Sequence, residues 1–352
     1  MVSLSESNSQ VTARRRAADS APVPHPLLPT RVLVSPDAFK GTFRATEVAA
    51  AIGRGLERGG CEPPDLCPIA DGGEGTAEVL LLALGGETRG AQVADPLGRT
   101  VAAGFALVDD GGTAIVEVAE ASGLTRVAEH ERDPLGASSR GTGELVVAAL
   151  AQGAEVVLVA CGGSATTDGG AGAIAAIEEA GGLQGATLVC LCDVRIPFTE
   201  AARRFGPQKG ATEQQVVALE ARLHELGRAW GVPPVAGGGA AGGLAGGLHA
   251  RLGARLVAGA PFVLDELGWD VRMRAARAVV VGEGRLDDTT LQGKAAGEAA
   301  TRARQAGVPC HAVVGRDALD LLGRRILDLQ HVLEAGTVAE LEAAGEQLAG
   351  DL

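Results

Sequence analysis

The segment GGSATTDGGAGA, Gly162 to Ala173, sets five glycines around one serine, two threonines and an aspartate, directly after the apolar run EVVLVAC. A glycine-rich loop that follows a strand and opens a helix offers backbone N–H groups and the positive end of the helix dipole to an anion. Gly162, Gly163, Ser164 and Thr166 are therefore candidate phosphate ligands. The common phosphate loop GxxxxGK[ST] is absent, so the neutralising cations must come from elsewhere. Of 31 basic residues only Lys40, Lys209 and Lys294 are lysines, and each touches a glycine, in FKG, QKG and GKA. Arginine is a planar fork, whereas lysine is a compact ammonium on a flexible stem. A chain that uses arginine almost everywhere has kept lysine at three glycine-flanked loops, which favours a site shaped for an ammonium over charges retained by chance. The carboxylates recur in similar places. Asp37 follows the run RVLV, Asp71 and Glu74 follow CPIA, and Asp168 lies in the glycine loop. Asp193 ends LVCLC, while Glu283 and Asp287 follow AVVV. Carboxylate oxygens suit a hard cation such as Mg²⁺, and lysines beside glycine loops suit phosphates.

These loops need a frame to bring them together. RVLV predicts a strand, Glu47 to Arg58 a helix, CPIA a second strand and Thr76 to Leu84 a second helix. That alternation predicts a parallel sheet with helices on both faces. From about Gly85 the pattern changes, and GFALV and TAIVEV around DDGG predict a hairpin. Helices are expected at Gly143 to Gln152, in GGAGAIAAIEEA, and at Glu213 to Trp230; EVVLVA and LVCLCDV are expected strands. AVVV, Ala295 to Ala306 and HAVV then resume the alternation. A parallel sheet that starts, breaks off and resumes predicts one α/β domain from residues 30–85 and 279–352, with residues 86–278 inserted as a second α/β domain. In open α/β sheets ligands bind outside the carboxyl ends of the strands, so the candidate loops should converge on one cleft between the domains.

Composition removes several classes of function. A net charge of −13 argues against nucleic acid, which needs basic patches. No apolar run approaches the ~20 residues of a membrane span. Residues 1–29 are polar, with Arg14 to Arg16 followed by a proline-rich stretch; they lack the apolar core of a secretion signal and read as a disordered extension. The six cysteines form no CxxC pair and have no histidine at zinc spacing, so they read as small buried hydrophobes in a reducing compartment. GGGAAGG, Gly237 to Gly243, matches the dinucleotide fingerprint by letter but follows GVPP and not a strand, so close helix packing is the better reading. No GxSxG surrounds Ser164, which leaves a serine hydrolase little support.

Taken in order, SPDAFKG, ADGGEGT, EASGL, SRGTGEL, GGSATTDGGAGA, CDV, FGPQKGAT, GGGAAGGLAGGL and GEGRLDDTTLQGK cover about Arg31 to Gly315. This set resembles the bacterial glycerate kinases of the type I, glycerate 2-kinase-like family. The resemblance implies a flavodoxin-like domain carrying an inserted α/β domain, and transfer of the ATP γ-phosphoryl group to a hydroxyl of D-glycerate, with 2-phosphoglycerate favoured over 3-phosphoglycerate. It implies ATP and Mg²⁺, a cytoplasmic protein, and no nucleic-acid or membrane partner; a homo-oligomer is compatible with it. Under that reading Asp71 or Asp287 accepts the substrate proton, and Lys209 with Lys40, Arg285 and Lys294 meets the substrate carboxylate and the moving phosphoryl group. Gly162, Gly163, Ser164 and Thr166 hold the ATP phosphates, and Asp168 or Asp193 holds the metal. The chain departs from the family pattern twice. The stretch near residues 173–192 is shortened, and where an Asn-Pro pair usually follows CDV, Val194-Arg195-Ile196-Pro197 stands. A kinase for another small hydroxy acid and a non-catalytic anion-binding homologue are the alternative readings.

Overall fold

The computed structural model describes residues 30–352. The expected extension, residues 1–29, lies outside the described residues. Val32–Pro36 (β1) leads into Ala45–Arg58 (α1), Asp65–Leu66 (β2) and Thr76–Leu84 (α2). Glu87–Ala94 (β3), Thr100–Val108 (β4) and Thr113–Glu117 (β5) follow, then Val118–Ser122 (α3), Arg140–Ala151 (α4), Val156–Ala160 (β6) and Ala171–Glu179 (α5). Thr187–Cys192 (β7) precedes Ala201–Phe205 (α6), Glu213–Trp230 (α7), Leu244–Leu252 (α8) and Arg255–Ala258 (β8). The chain continues through Gly259–Glu266 (α9), Trp269–Arg274 (α10), Ala278–Glu283 (β9), Ala295–Ala306 (α11) and Cys310–Val314 (β10). It ends with Leu321–Leu327 (α12), Leu329–Glu334 (β11) and Val338–Ala349 (α13).

The strands make two sheets. The first is parallel throughout, in the order β2-β1-β9-β10-β11, with Leu33 opposite Val279 and His311 opposite Val280. Counting only its own strands, this is the 2-1-3-4-5 order of flavodoxin-like sheets, whose switch point lies between β1 and β9. Between its second and third strands the chain builds the other sheet, β3-β4-β5-β6-β7-β8. There β3, β4 and β5 pair antiparallel, and β5 to β8 pair parallel. β1 and β9 are buried along their whole length, as the centre of a sheet covered on both faces requires. One apolar cluster serves both sheets. Leu33 and Val281 of the first meet Ile115 and Leu191 of the second, together with Val263 of α9 and Trp269 of α10. The Trp269 indole donates to Ser35 Oγ at 2.7 Å, and that hydroxyl donates to the Cys67 carbonyl at 2.8 Å, which satisfies the buried polar atoms. On the outer face of the first sheet α1 packs on α13 so closely that a Cβ on Gly55 would fall 2.0 Å from the Glu342 carbonyl oxygen.

Three expectations are corrected here. CPIA is not itself a strand: the pairing ends at Leu66, because Pro36 of β1 has no N–H to donate to the Cys67 carbonyl. Cys67 N and Ile69 N still donate to the Val34 and Pro36 carbonyls, so the segment runs extended along β1. LVCLCDV ends as a strand at Cys192, which frees Asp193 into the following loop. Strands β3, β8 and β11 were not expected. β3 and β11 lie at sheet edges with mostly exposed or half-exposed residues, and β8 has four residues and is not buried. The shortened stretch closes as a tight turn between α5 and β7, with positive φ at Gly181, Gly182, Gln184 and Gly185. All six cysteines are free and all but Cys61 are buried. Among the described residues no helix is long and apolar enough to cross a membrane.

Candidate functional site

Both sheets turn the carboxyl ends of their parallel strands toward the same loops. On the first sheet β1 ends in Asp37, whose Oδ1 accepts from its neighbour Ala38 N at 2.7 Å. Asp37 is buried, and burial together with the nearby Asp71 pushes its carboxyl well above the ordinary value. Burial alone would raise Asp71 too. The Lys40 ammonium, 3.2 Å from its Oδ2, and the Gly73 N–H, 3.0 Å from Oδ1, more than reverse that and hold it below the usual carboxylate range. The same contact lifts Lys40, so this lysine stays charged. β9 ends in Glu283, which accepts from Thr290 Oγ1 at 2.6 Å and pairs with Lys294 Nζ at 3.4 Å. Asp287 binds its own turn: Oδ1 accepts from Thr289 N at 2.9 Å, and Oδ2 meets Arg285 Nε at 3.1 Å. A cavity of about 440 Å³ lies at the switch point between these groups, with Lys40, Arg285, Lys294 and Arg316 facing Asp37, Asp71 and Glu283. Cations able to bind a carboxylate and carboxyls able to take a proton stand in one recess.

On the second sheet β6 ends in the glycine loop. Lys209, brought from the turn before α7, lies beneath this loop, 5% exposed. Its ammonium donates to Ser164 Oγ at 2.8 Å and to the Thr166 carbonyl at 2.5 Å. Burial pulls it down to about 7, against the opposing effect of Asp168 and Asp193. Asp168, expected to hold the metal, has both carboxylate oxygens engaged by donors of the chain. Its Oδ2 accepts from Ser139 N, Ser139 Oγ and Gly172 N at 2.9, 2.8 and 3.1 Å, and its Oδ1 accepts from Gly170 N at 3.1 Å. The carboxylate thus occupies the N-terminus of α5, the place where the loop was expected to take an external anion. Thr166 Oγ1 is buried with no partner. Asp193, just after β7, is pushed up to about 7 by burial and by Asp71. Among the described residues no three His, Cys, Asp or Glu side chains converge as a metal cage.

The two halves touch through glycine. A Cβ on Gly162 would fall 2.6 Å from Gly73 Cα, and one on Gly259 would fall 2.2 Å from the Asp71 carbonyl oxygen. Only bare backbone lets the ADGGEG loop lie against the loops after β6 and β8. Through this seam the charges act as one set, since Asp193 feels Asp71, Lys40 and Lys209. Of the sequence candidates, Lys40, Asp71, Arg285 and Lys294 line the smaller cavity and Asp287 stands beside Arg285. Lys209, Asp168, Ser164, Thr166 and Asp193 sit behind the seam and line neither this cavity nor the larger one beside it. The larger cavity, about 650 Å³, shares Asp37 and Lys40 with the smaller. Its floor holds Glu117, the last residue of β5, buried and pushed up to about 7 by that burial. Sequence reasoning gave Glu117 no role. The available signal was the same one that marked Asp37 and Glu283, an acid closing a buried strand.

Comparison with known proteins fits this geometry. The model of the glycerate kinase family matches residues 32–181 and 178–343, two segments that meet at the turn after α5. A protein of Halalkalibacterium halodurans named glycerate kinase is 36% identical, over 90% of this chain and 97% of its own. One of Escherichia coli K12 named glycerate 2-kinase is 36% identical over 75% of this chain and 79% of its own. The crystal structure of a Salmonella typhimurium LT2 protein named for glycerate kinase 2 superposes with a TM-score of 0.75 at 32% identity, covering 92% of this chain and 98% of that one. With the family pattern matched along nearly all of its described length, in sequence and in fold, this chain belongs to the glycerate kinase family.

Proposed function

We propose that the protein transfers the γ-phosphoryl group of ATP to a hydroxyl of D-glycerate and releases 2-phosphoglycerate. The observation that carries this reading is that Asp37 and Lys40 belong to both cavities, so a carboxyl and an ammonium stand where two ligands would meet. Family membership supports the substrate, and the glycerate 2-kinase name of the Escherichia coli relative supports the 2-phosphate.

Phosphoryl transfer demands positioning and charge neutralisation more than covalent help from the protein. In this reading the glycerate carboxylate lies in the smaller cavity against Arg285 and Lys294. The hydroxyl oxygen forms the new bond to phosphorus as the bond to the ADP oxygen breaks. Its proton passes to Asp37, whose raised pKa makes it a better base than Asp71. Asp71 keeps Lys40 charged and aimed at the phosphoryl oxygens. Gly162, Gly163, Ser164 and Thr166 shape the wall behind the phosphates, and Lys209 braces that wall from below. Asp287 orients Arg285. Asp193 fits a hard cation, since its carboxyl is partly buried beside Asp71 and a cation there would offset both the burial and that repulsion. Mg²⁺ held there with the phosphates would supply neutralisation of their charge.

Purified protein with ATP, Mg²⁺ and D-glycerate tests the reading. Formation of a product that enolase accepts directly, without phosphoglycerate mutase, is the expected result. A product that needs the mutase would reassign the hydroxyl, and no glycerate-dependent ADP release would end the proposal.

A further inference from the structure

Beyond the acid site, the larger cavity has a lining with its own chemistry. Phe43, Ile69, Phe105 and Ile115 give it apolar and aromatic walls. Glu74, Glu78, Glu117 and Glu120 give it carboxyls. Its cations are Lys40, already paired with Asp71, and Arg44, already paired with Glu47 and Glu78. Such an interior repels a carboxylate or phosphate and suits an uncharged ring system carrying N–H and O–H donors. A volume of about 650 Å³ is far more than a small hydroxy acid fills and lies within the ~300–1,000 Å³ of small-molecule pockets. Position adds to chemistry. The cavity opens on one side to Lys40 and the acid site, and Glu74 lies 3.6 Å from where a Cβ of Gly163 would stand, so the glycine loop is its other neighbour.

We propose that this cavity binds the nucleoside part of the phosphoryl donor, a purine nucleoside whose donor groups are accepted by Glu117. The inference rests on the kinase reading for its direction: the phosphate chain leaves the cavity past Lys40, toward Asp37 and the acid. Glu117 is fixed for this role from both sides. It closes β5, and its Oε1 accepts from Ala77 N at 2.7 Å, which pins the carboxyl at the start of α2. The aromatic walls offer a flat ring faces to lie on.

Calorimetry with adenosine alone, which carries no phosphate, tests the pocket without turnover. The variant Thr88→Trp is the tool, because Thr88 lines the cavity from the exposed edge strand β3, where a large side chain fills the mouth without entering the core. Adenosine should bind the wild type, and Thr88→Trp and Glu117→Gln should each weaken it about tenfold or more, with a like rise in KM for ATP and a KM for D-glycerate within about twofold. No adenosine binding by the wild type, or a Thr88→Trp variant that loses D-glycerate and keeps adenosine, overturns the assignment. A wild type that never phosphorylates D-glycerate would sink the kinase reading alone; adenosine binding lost in Thr88→Trp would still support the pocket.

Discussion

At the scale of single residues the site is a set of charges held where water would not leave them. Lys209 is the extreme case, an ammonium beneath a glycine loop with two oxygens as its hydrogen-bond partners. A guanidinium cannot take that position without moving Ser164 or Thr166, because its charge is spread over a plane. Because Lys209 lines neither cavity and acts through the loop it braces, Lys209→Arg should lower stability by about 1–3 kcal/mol as Ser164 or Thr166 is displaced, and kcat with it, and Lys209→Ala by at least as much. A Lys209→Arg enzyme with stability and kcat unchanged would show that only charge is needed there. Asp37 makes a different prediction. As the proton acceptor, Asp37→Asn should lower kcat by about 10²–10⁴-fold while KM for D-glycerate changes little, since the acid is held by Arg285 and Lys294. A large KM effect with kcat intact would move the base elsewhere, to Asp71 first.

At the scale of elements, His311 shows how a strand converts burial into acid sensitivity. It lies in β10, 3% exposed, with its ring stacked on His331 at 5.3 Å between centroids. Burial, and then His331, pull it from 6.5 down to about 4. The unfolded chain takes up this proton more readily, so the group's contribution is full above pH 6.5 and is lost as pH falls toward 4. At 1.36 kcal/mol per pH unit below 6.5, the loss between pH 7 and pH 5 is about 2 kcal/mol. Urea unfolding at the two pH values should show that loss in the wild type and most of it abolished in His311→Gln; equal acid sensitivity in both would disprove the assignment. The elements also show what the sequence could and could not say. RVLV, AVVV and HAVV were readable because central parallel strands are apolar throughout. β3 and β11 were not, because an edge strand buries too little to leave an alternating pattern. The acids closing buried strands were readable as a class. Their division of labour was not, because it depends on distances: Asp168 and Asp71 look alike in sequence, yet one caps α5 and the other neutralises Lys40.

At the scale of the molecule, the family match begins at residue 32, and residues 1–29 carry a polar, proline-rich sequence. Their deletion should leave both Tm and kcat unchanged; a marked loss in either would mean that the segment packs on the fold. The remaining chain sets its own order of assembly. β1 leaves the ribosome early, yet its neighbour β9 begins only at Ala278, after every strand of the second sheet. At ~5–20 residues per second, translation separates the two by roughly 10–50 s. During that interval Val32, Leu33 and Val34 have no partner on one side, while the strands from β3 to β8 are contiguous and free to close. The nascent chain therefore carries an apolar segment near its N-terminus that must be shielded from aggregation until about the last fifth of the chain arrives. Joining the present ends and opening the chain between the sheets would bring β1 and β9 out close together in time and remove the wait.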